Sequence, residues 1–397
     1  MPDFLALATA ASGNLVRWRR HLHRHPELSF QEHETAAFVA ATLRETGLEP
    51  IEGVGGTGVV AHVVGARPGP VVALRADMDA LPITEDTGLD FASERPGVMH
   101  ACGHDVHTAC LLGAARLLHE ARGELSGTVR LVFQPGEETI PGGANAMIEA
   151  GVLGEMAGVA APSRLFGQHV VPQLAAGVLG VRSGPFMASA DELYLTVRGA
   201  GGHAADPAAL VDVVLAQAHI LVALQSVVSR NCPPGVPSIL SFGRVEALGA
   251  TNVVPDEARL VGTFRSMDEP WRWQAHGLIR RVAEQTAAAF GATCDVEVRV
   301  GYPALVNDPE ATAFARATAT GLVGGDRVVD LPMWYASEDF AFYAQRIPAS
   351  FSVVGVGPPD GTPGPGLHTP RFVADEKALG VGAAFLAALA WRHGEAG

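Results

Sequence analysis

The chain is short of cysteine and of positive charge, and it has neither a long apolar run nor a long basic one. Its four cysteines, Cys102, Cys110, Cys232 and Cys294, lie far apart without C-x-x-C spacing, which excludes a disulfide framework in a chain of 397 residues. Three of them read as small apolar residues; Cys102 is set apart by its neighbours. No stretch approaches ~18 uninterrupted apolar residues, so no transmembrane helix is expected. The net charge is −14 and no basic run is longer than residues 17–20, which argues against nucleic acid and anionic membrane as partners. The first 14 residues carry no early basic cluster and no cleavage-site pattern, so a cytoplasmic protein is expected. There is no internal repeat, and residues 355–366 are expected to be a Gly/Pro-rich loop.

What is present is ample apolar material, 48% of the residues, in a chain long enough for two domains. Leu15, Trp18 and Leu22 recur at helical spacing after Ser12 or Asn14 and before Pro26, and a second helix is expected over 31–47. Residues 58–64 and 70–75 are short apolar runs bounded by glycine and proline, as in buried strands. A helix over 108–121, a strand over 128–133 and a helix over 144–150 continue the alternation. That succession predicts an α/β fold, with a mixed sheet covered by helices. From about 182 the pattern changes: strand 191–198, helix 210–228, strands 238–245 and 257–265, helix 272–290, strand 293–300. This β-α-β-β-α-β order predicts an inserted ferredoxin-like α+β domain. Ser183-Gly184-Pro185 and Gly301-Tyr302-Pro303 have hinge chemistry, giving domains of 1–183, 184–300 and 301–397, the last completing the first.

The densest chemistry is His100-Ala-Cys-Gly-His-Asp-Val-His107. A thiol and an imidazole two residues apart across a glycine can aim two ligands at one cation from a loop; a His-rich surface loop is the plain alternative. Glu137 and Glu138 are adjacent acids just beyond a strand, where α/β sheets bind ligands. Mutual repulsion makes such a pair hard to motivate without a cation: one can ligate while the other takes a proton from water. His169 and His368 stand singly at a strand end or loop, where histidine is commonly satisfied or solvent-facing.

Several further segments carry a resemblance to a known family. They are His23-Arg-His-Pro-Glu-Leu28, Leu74-Arg-Ala-Asp-Met-Asp-Ala-Leu-Pro82, Gly202-His203, Asn252-Val-Val-Pro-Asp256, Gly262-Thr-Phe-Arg265, Ser337-Glu-Asp-Phe340 and Leu367-His-Thr-Pro370. With the Cys-Gly-His-Asp cluster and the paired acids, they make the chain resemble, over nearly its whole length, the M20 metallopeptidase and amidohydrolase family. The similarity is to the branch of aminoacylase-like, hippurate-hydrolase-like and auxin-conjugate-hydrolase-like enzymes. It implies a zinc-exopeptidase-like catalytic domain with the inserted domain serving as lid and homodimer contact. It also implies two divalent cations held by Cys102, His104, Glu138, His169 and His368, with Cys102 bridging and Glu137 as general base. Thiolate and imidazole favour zinc, while manganese, cobalt or nickel can serve.

By the same resemblance Asp79 orients an imidazole, as outer carboxylates do at metal sites. Asp77, His100, Asp105 and His107 are expected to support rather than ligate. His203 would meet the carbonyl oxygen, from its own or a partner subunit, and Asn252 and Arg265 would contact substrate. The chain departs from many relatives at Pro207-Ala208-Ala209-Leu210, where a Pro-His step is usual, and this bears on substrate preference. The implied reaction is hydrolysis of N-acyl-L-amino acids to a carboxylic acid and a free amino acid. A dipeptidase or carboxypeptidase, and an N-acetyl-amino-acid deacetylase of diaminopimelate type, are the alternatives with the same machinery. A catalytically silent binding protein is the alternative from another class.

Overall fold

The computed structural model describes residues 1–359, 362 and 364–395, and the chain divides into two compact units. The first comprises Met1–Gly184, Val306–Pro332 and the chain from Asp339 onward; the second comprises Pro185–Leu305 and Met333–Glu338. Residues 301–305 and 333–338, expected with the larger domain, thus pack with the smaller one.

The first unit is built on an eight-stranded mixed sheet. Its spatial order is Ile51–Val54, Gly58–Val64, Ser126–Gln134, Arg67–Asp77, Arg164–Ala175, Ala349–Gly357, Leu179–Val181, Val328–Asp330. The four middle strands from Ser126–Gln134 to Ala349–Gly357 run parallel, so their carboxyl ends open on one edge. All nine residues of Ala349–Gly357 are buried, as a strand covered on both faces requires. Residues 355–357 of the expected loop are therefore strand; within that stretch, residues 360, 361 and 363 lie outside the described ones. Helices Ser12–Arg24, His104–Ala121 and Ala378–Glu395 pack on one another and on the sheet through Leu15, Trp18, Leu111, Leu118, Phe385 and Leu389.

One helix begins earlier than its periodicity suggests. It starts at His104 rather than near residue 108, because Gly103 takes a left-handed φ of 86° at its N-cap. His104, Asp105 and His107 therefore sit in the first turns of a buried helix, not in a loop. His169 likewise lies within Arg164–Ala175, buried, not at its end.

The second unit has an antiparallel four-stranded sheet ordered Ser238–Glu246, Glu257–Ser266, Asp191–Arg198, Thr293–Val300. Helices Val213–Ser226 and Glu269–Ala289 complete the β-α-β-β-α-β succession, their Ile220, Leu224 and Ile279 meeting Leu193, Leu195 and Leu260. The first of these helices starts at Val213 because the Asp212 side chain caps the Leu215 N–H.

Burial sets an acid limit on stability. Burial, reinforced by the Arg130 charge, pushes His62 down to about 4, and burial with Arg164 does the same to His393. His62 accepts from Arg130 Nε at 2.9 Å, a bond only the neutral ring can make. Since the unfolded rings titrate near 6.5, the unfolded chain takes up more protons between pH 6.5 and 4. The contribution of these two rings is full above pH 6.5 and is lost as pH drops towards 4. The urea midpoint is expected to be lower at pH 5 than at pH 7, with the difference reduced in a His62→Gln/His393→Gln double variant.

Candidate metal centre

The site gathers at the carboxyl edge of the parallel strands. Asp77 ends one strand, Asp79 follows it, Glu137 and Glu138 lie just past Ser126–Gln134, and Cys102 and His104 flank Gly103 at the helix start. His368 enters from a separate turn with a left-handed φ of 59°, its N–H donating to the Ala101 carbonyl at 2.9 Å. Such a backbone is uncommon outside glycine and concentrates at sites that over-determine it.

Cys102 is the common member. Its Sγ lies 3.4 Å from His169 Nε2 and 3.2 Å from His368 Nε2, and His368 Nε2 lies 3.3 Å from Glu138 Oε1. Ligand atoms of Cys102, His104 and His169 fall within 4.8 Å of one another, as do those of Cys102, Glu138 and His368, and those of His104, Glu137 and Glu138. Two of these overlapping sets share one sulfur, the arrangement a bridging thiolate would need. Among the described residues His104 Nε2 is buried without a hydrogen-bond partner, which is costly unless something else satisfies it.

The electrostatics point the same way. Burial, then Glu138, Glu137 and Asp77, push the Cys102 thiol well above its ordinary value, so protein charges alone would not make it a thiolate. Burial would lower His104, but Asp77, Asp79 and Glu138 outweigh it and raise the ring to about 10. A pocket that pulls an extra proton onto an imidazole and places carboxylates beside a thiol favours positive charge. Soft and borderline donors with one carboxylate suit zinc and its first-row neighbours. The residues therefore fit a pair of divalent cations.

Around these donors lies a frame of hydrogen bonds. Asp79 Oδ1 is 3.2 Å from His104 Nδ1, leaving Nε2 to face the cluster, while Asp79 Oδ2 accepts from Glu138 N and Ser29 Oγ. Burial alone would raise the Asp79 carboxyl; the bond and charge of His104 outweigh it and hold it below the usual range. His169 Nδ1 donates to the Val170 carbonyl at 2.7 Å, so its Nε2 faces Cys102. Asp77 accepts from Arg75 Nη1 at 2.6 Å and meets His107 Nδ1 at 2.6 Å, and His107 Nε2 accepts from the Val170 N–H. Asp105 binds Arg19 Nε and His23 Nδ1, both at 2.8 Å. Asp77 and Asp105 thus have cationic or imidazole partners within the protein. Among the described residues, His100 has no partner at either ring nitrogen.

Four contributors escaped the sequence reading. Arg75 is fully buried and bridges Asp77 and Asp339, its Nη2 reaching Asp339 Oδ1 at 2.8 Å; Gln134 Nε2 and the Ala144 N–H also donate to Asp339. Removing one partner of such a buried pair costs about 3–5 kcal/mol, so this frame is costly to break. The Asp339 N–H in turn lies 3.4 Å from Glu137 Oε1. Glu32, the fourth, accepts from the Gly136 N–H at 2.8 Å. Arg75 and Asp339 stand inside the motif segments noted above, which was the available signal; Glu32 and Gln134 had none.

The remaining expected residues belong to the second unit. His203 pairs with Val253 across a two-stranded ribbon, and Ala204 N donates to Asn252 O, so His203 and Asn252 are neighbours. Arg265 donates Nη1 to the Tyr335 carbonyl at 3.0 Å.

Replacing Asp79 with Ala frees His104 Nδ1 and the Glu138 N–H together. The expected outcome is a loss of about 10–100-fold in metal affinity or activity, read by metal titration.

Residues 73–392 match the sequence model of peptidase family M20/M25/M40. Over 377 residues the chain is 43% identical to an N-acetylcysteine deacetylase of Bacillus subtilis (strain 168), spanning 95% of this chain and 96% of that protein. It is 40% identical to a thermostable carboxypeptidase of Saccharolobus solfataricus, over 95% of this chain and 94% of that one. A solved structure from Bacillus subtilis, described as a dinuclear metal-binding peptidase of family M20, superposes with a TM-score of 0.83 at 39% identity, covering 97% of this chain and 98% of its own.

Proposed function

The chain belongs to peptidase family M20/M25/M40 and is a metal-dependent amide hydrolase, and from that premise we propose that its substrates are N-acyl-L-amino acids. The observation that carries the chemistry is a five-donor cluster with a sixth group, Glu137, whose carboxylate lies within 4.8 Å of the Glu138 and His104 ligand atoms. When bound, two divalent cations supply a water of lowered pKa and polarise the amide carbonyl. Glu137 takes the water's proton on a carboxylate oxygen and returns it to the nitrogen of the leaving amine. His203 offers an imidazole N–H to the oxyanion, and Asn252 helps to orient the substrate.

Arg265 carries the choice of substrate. It is half-buried, burial lowers its pKa, and among the described residues no carboxylate pairs with it. A guanidinium left without an acid suits the free α-carboxylate of an acylated amino acid. Zinc is the first candidate for the cations, with manganese, cobalt and nickel behind it.

A hydrolysis screen tests the reading. N-acetyl, N-benzoyl and aminoacyl derivatives of many amino acids are incubated with zinc, manganese and cobalt added separately. Release of free amino acid from N-acyl derivatives is expected. Release from aminoacyl derivatives alone would replace this reading with the dipeptidase or carboxypeptidase one, which the carboxypeptidase relative favours. No release from any of them would overturn it.

We further propose a homodimer through the second unit. Its helix Val213–Ser226 exposes Val214, Leu215 and Val222, the last 72% exposed, and Ser238–Glu246 is an edge strand. Light scattering is expected to show a dimer, and Val222→Glu a shift towards monomer.

A further inference from the structure

Consecutive side chains in an extended strand point to opposite faces, yet Glu137 and Glu138 must serve one site. The chain solves this immediately before them: Gly136 adopts φ 61°, and the next two residues form a turn that brings both carboxylates within 4.8 Å. A Cβ at Gly136 would lie 2.5–2.7 Å from three carbons of the Phe30 ring, so that ring fills the space beside the turn. Phe30 is itself at φ 62°, a conformation that non-glycine residues rarely hold without support. Two left-handed residues from distant parts of the sequence therefore lean on each other beneath the acid pair.

One atom serves both. Oε1 of Glu32 accepts from the Gly136 N–H at 2.8 Å and from the Phe30 N–H at 2.9 Å, while its Oε2 accepts from Thr57 Oγ1 at 2.5 Å. Glu32 is fully buried, and no cation pairs with it among the described residues. Such a carboxylate needs a reason to be kept, and these three donors account for it. We propose that Glu32 is a positioning residue for the Glu137–Glu138 pair, its carboxylate clamping Phe30 and Gly136 in the left-handed conformations that turn both acids into one site. The catalytic part of this role rests on the hydrolase reading above; the clamp itself does not.

The geometry separates Glu32→Gln from Glu32→Ala. Glutamine keeps an oxygen that can accept both backbone N–H groups and an amide that can meet Thr57, whereas alanine removes every contact. In the metal-loaded full-length protein, Glu32→Ala is expected to lower kcat about 10–100-fold with KM changed less than about threefold, and Glu32→Gln to restore most of it. The effect on kcat should shrink in a Glu137→Gln background, because the part acting through the base is absent there and only the part acting through Glu138 remains.

Hydrogen exchange reads the clamp without turnover. In the unsubstituted protein the Gly136 and Phe30 amides are expected to be protected, and Glu32→Ala should expose residues 135–139 more than the distant strand 349–357. Should Glu32→Ala not fold, Glu32→Gln and the unsubstituted protein still decide the matter. An unprotected Gly136 amide, an unchanged kcat in a folded Glu32→Ala protein, or equal losses in the alanine and glutamine variants would overturn the proposal. Protected amides in a protein that hydrolyses no amide would instead overturn the hydrolase reading and leave the clamp standing.

Discussion

Glu137→Gln is expected to reduce kcat by about 10²–10⁴-fold, the range of a lost general base, while both cations stay bound. Glutamine has the shape of glutamate and keeps an oxygen to accept from the Asp339 N–H, so the fold of the 135–139 loop should persist. What it lacks is a site for the water's proton. KM should change little, because the lost interaction develops in the transition state rather than on binding. The check is a steady-state comparison with metal content measured on the same samples. Turnover near that of the unsubstituted enzyme would remove Glu137 from the role given to it. A loss of one cation would instead place it among the ligands.

The second large effect is expected at Cys102. Its sulfur is shared by the sets containing His104 with His169 and Glu138 with His368. Truncation to alanine therefore weakens both positions at once, where loss of an outer ligand weakens one. Cys102→Ala should bind fewer than two cations per chain at concentrations that saturate the unsubstituted protein, and activity should fall by at least about 10²-fold. Cobalt substitution gives an independent reading. A thiolate-to-cobalt charge-transfer band is expected in the unsubstituted protein and should be absent in the variant. Two tightly held cations in Cys102→Ala would contradict a bridging role.

The sequence carried the outline of this molecule better than its internal supports. Strand–helix alternation was visible because buried parallel strands such as 58–64 and 70–75 are nearly continuous apolar runs. The β-α-β-β-α-β succession was visible because Asp191–Arg198 alternates as a half-covered strand should. Local boundaries were harder. The helix at His104 begins with His, Asp and His, polar residues that turn inward only because Asp79, Asp105's partners and His107's partners are brought to them from elsewhere. His169 resembled a loop histidine because Gly167 and Gln168 precede it, although all three are buried within a strand.

The frame behind the site was the least legible. Arg75 reaches Asp339 across 264 positions of sequence, and Glu32 reaches Gly136 across 104. Neither pair has a local spacing that could announce it. Asp77 illustrates the limit: nothing in its residue type announces its bonds to Arg75 and His107.

The most direct test of the two-cation account is a metal titration with activity as the readout. Protein stripped by a chelator and dialysed is given back zinc, manganese or cobalt in steps, and hydrolysis of a reactive N-acyl amino acid is followed against cations bound per chain. The account predicts negligible activity without a divalent cation and a rise that completes only at two per chain. Full activity in stripped protein, or a plateau at one cation per chain, would contradict it.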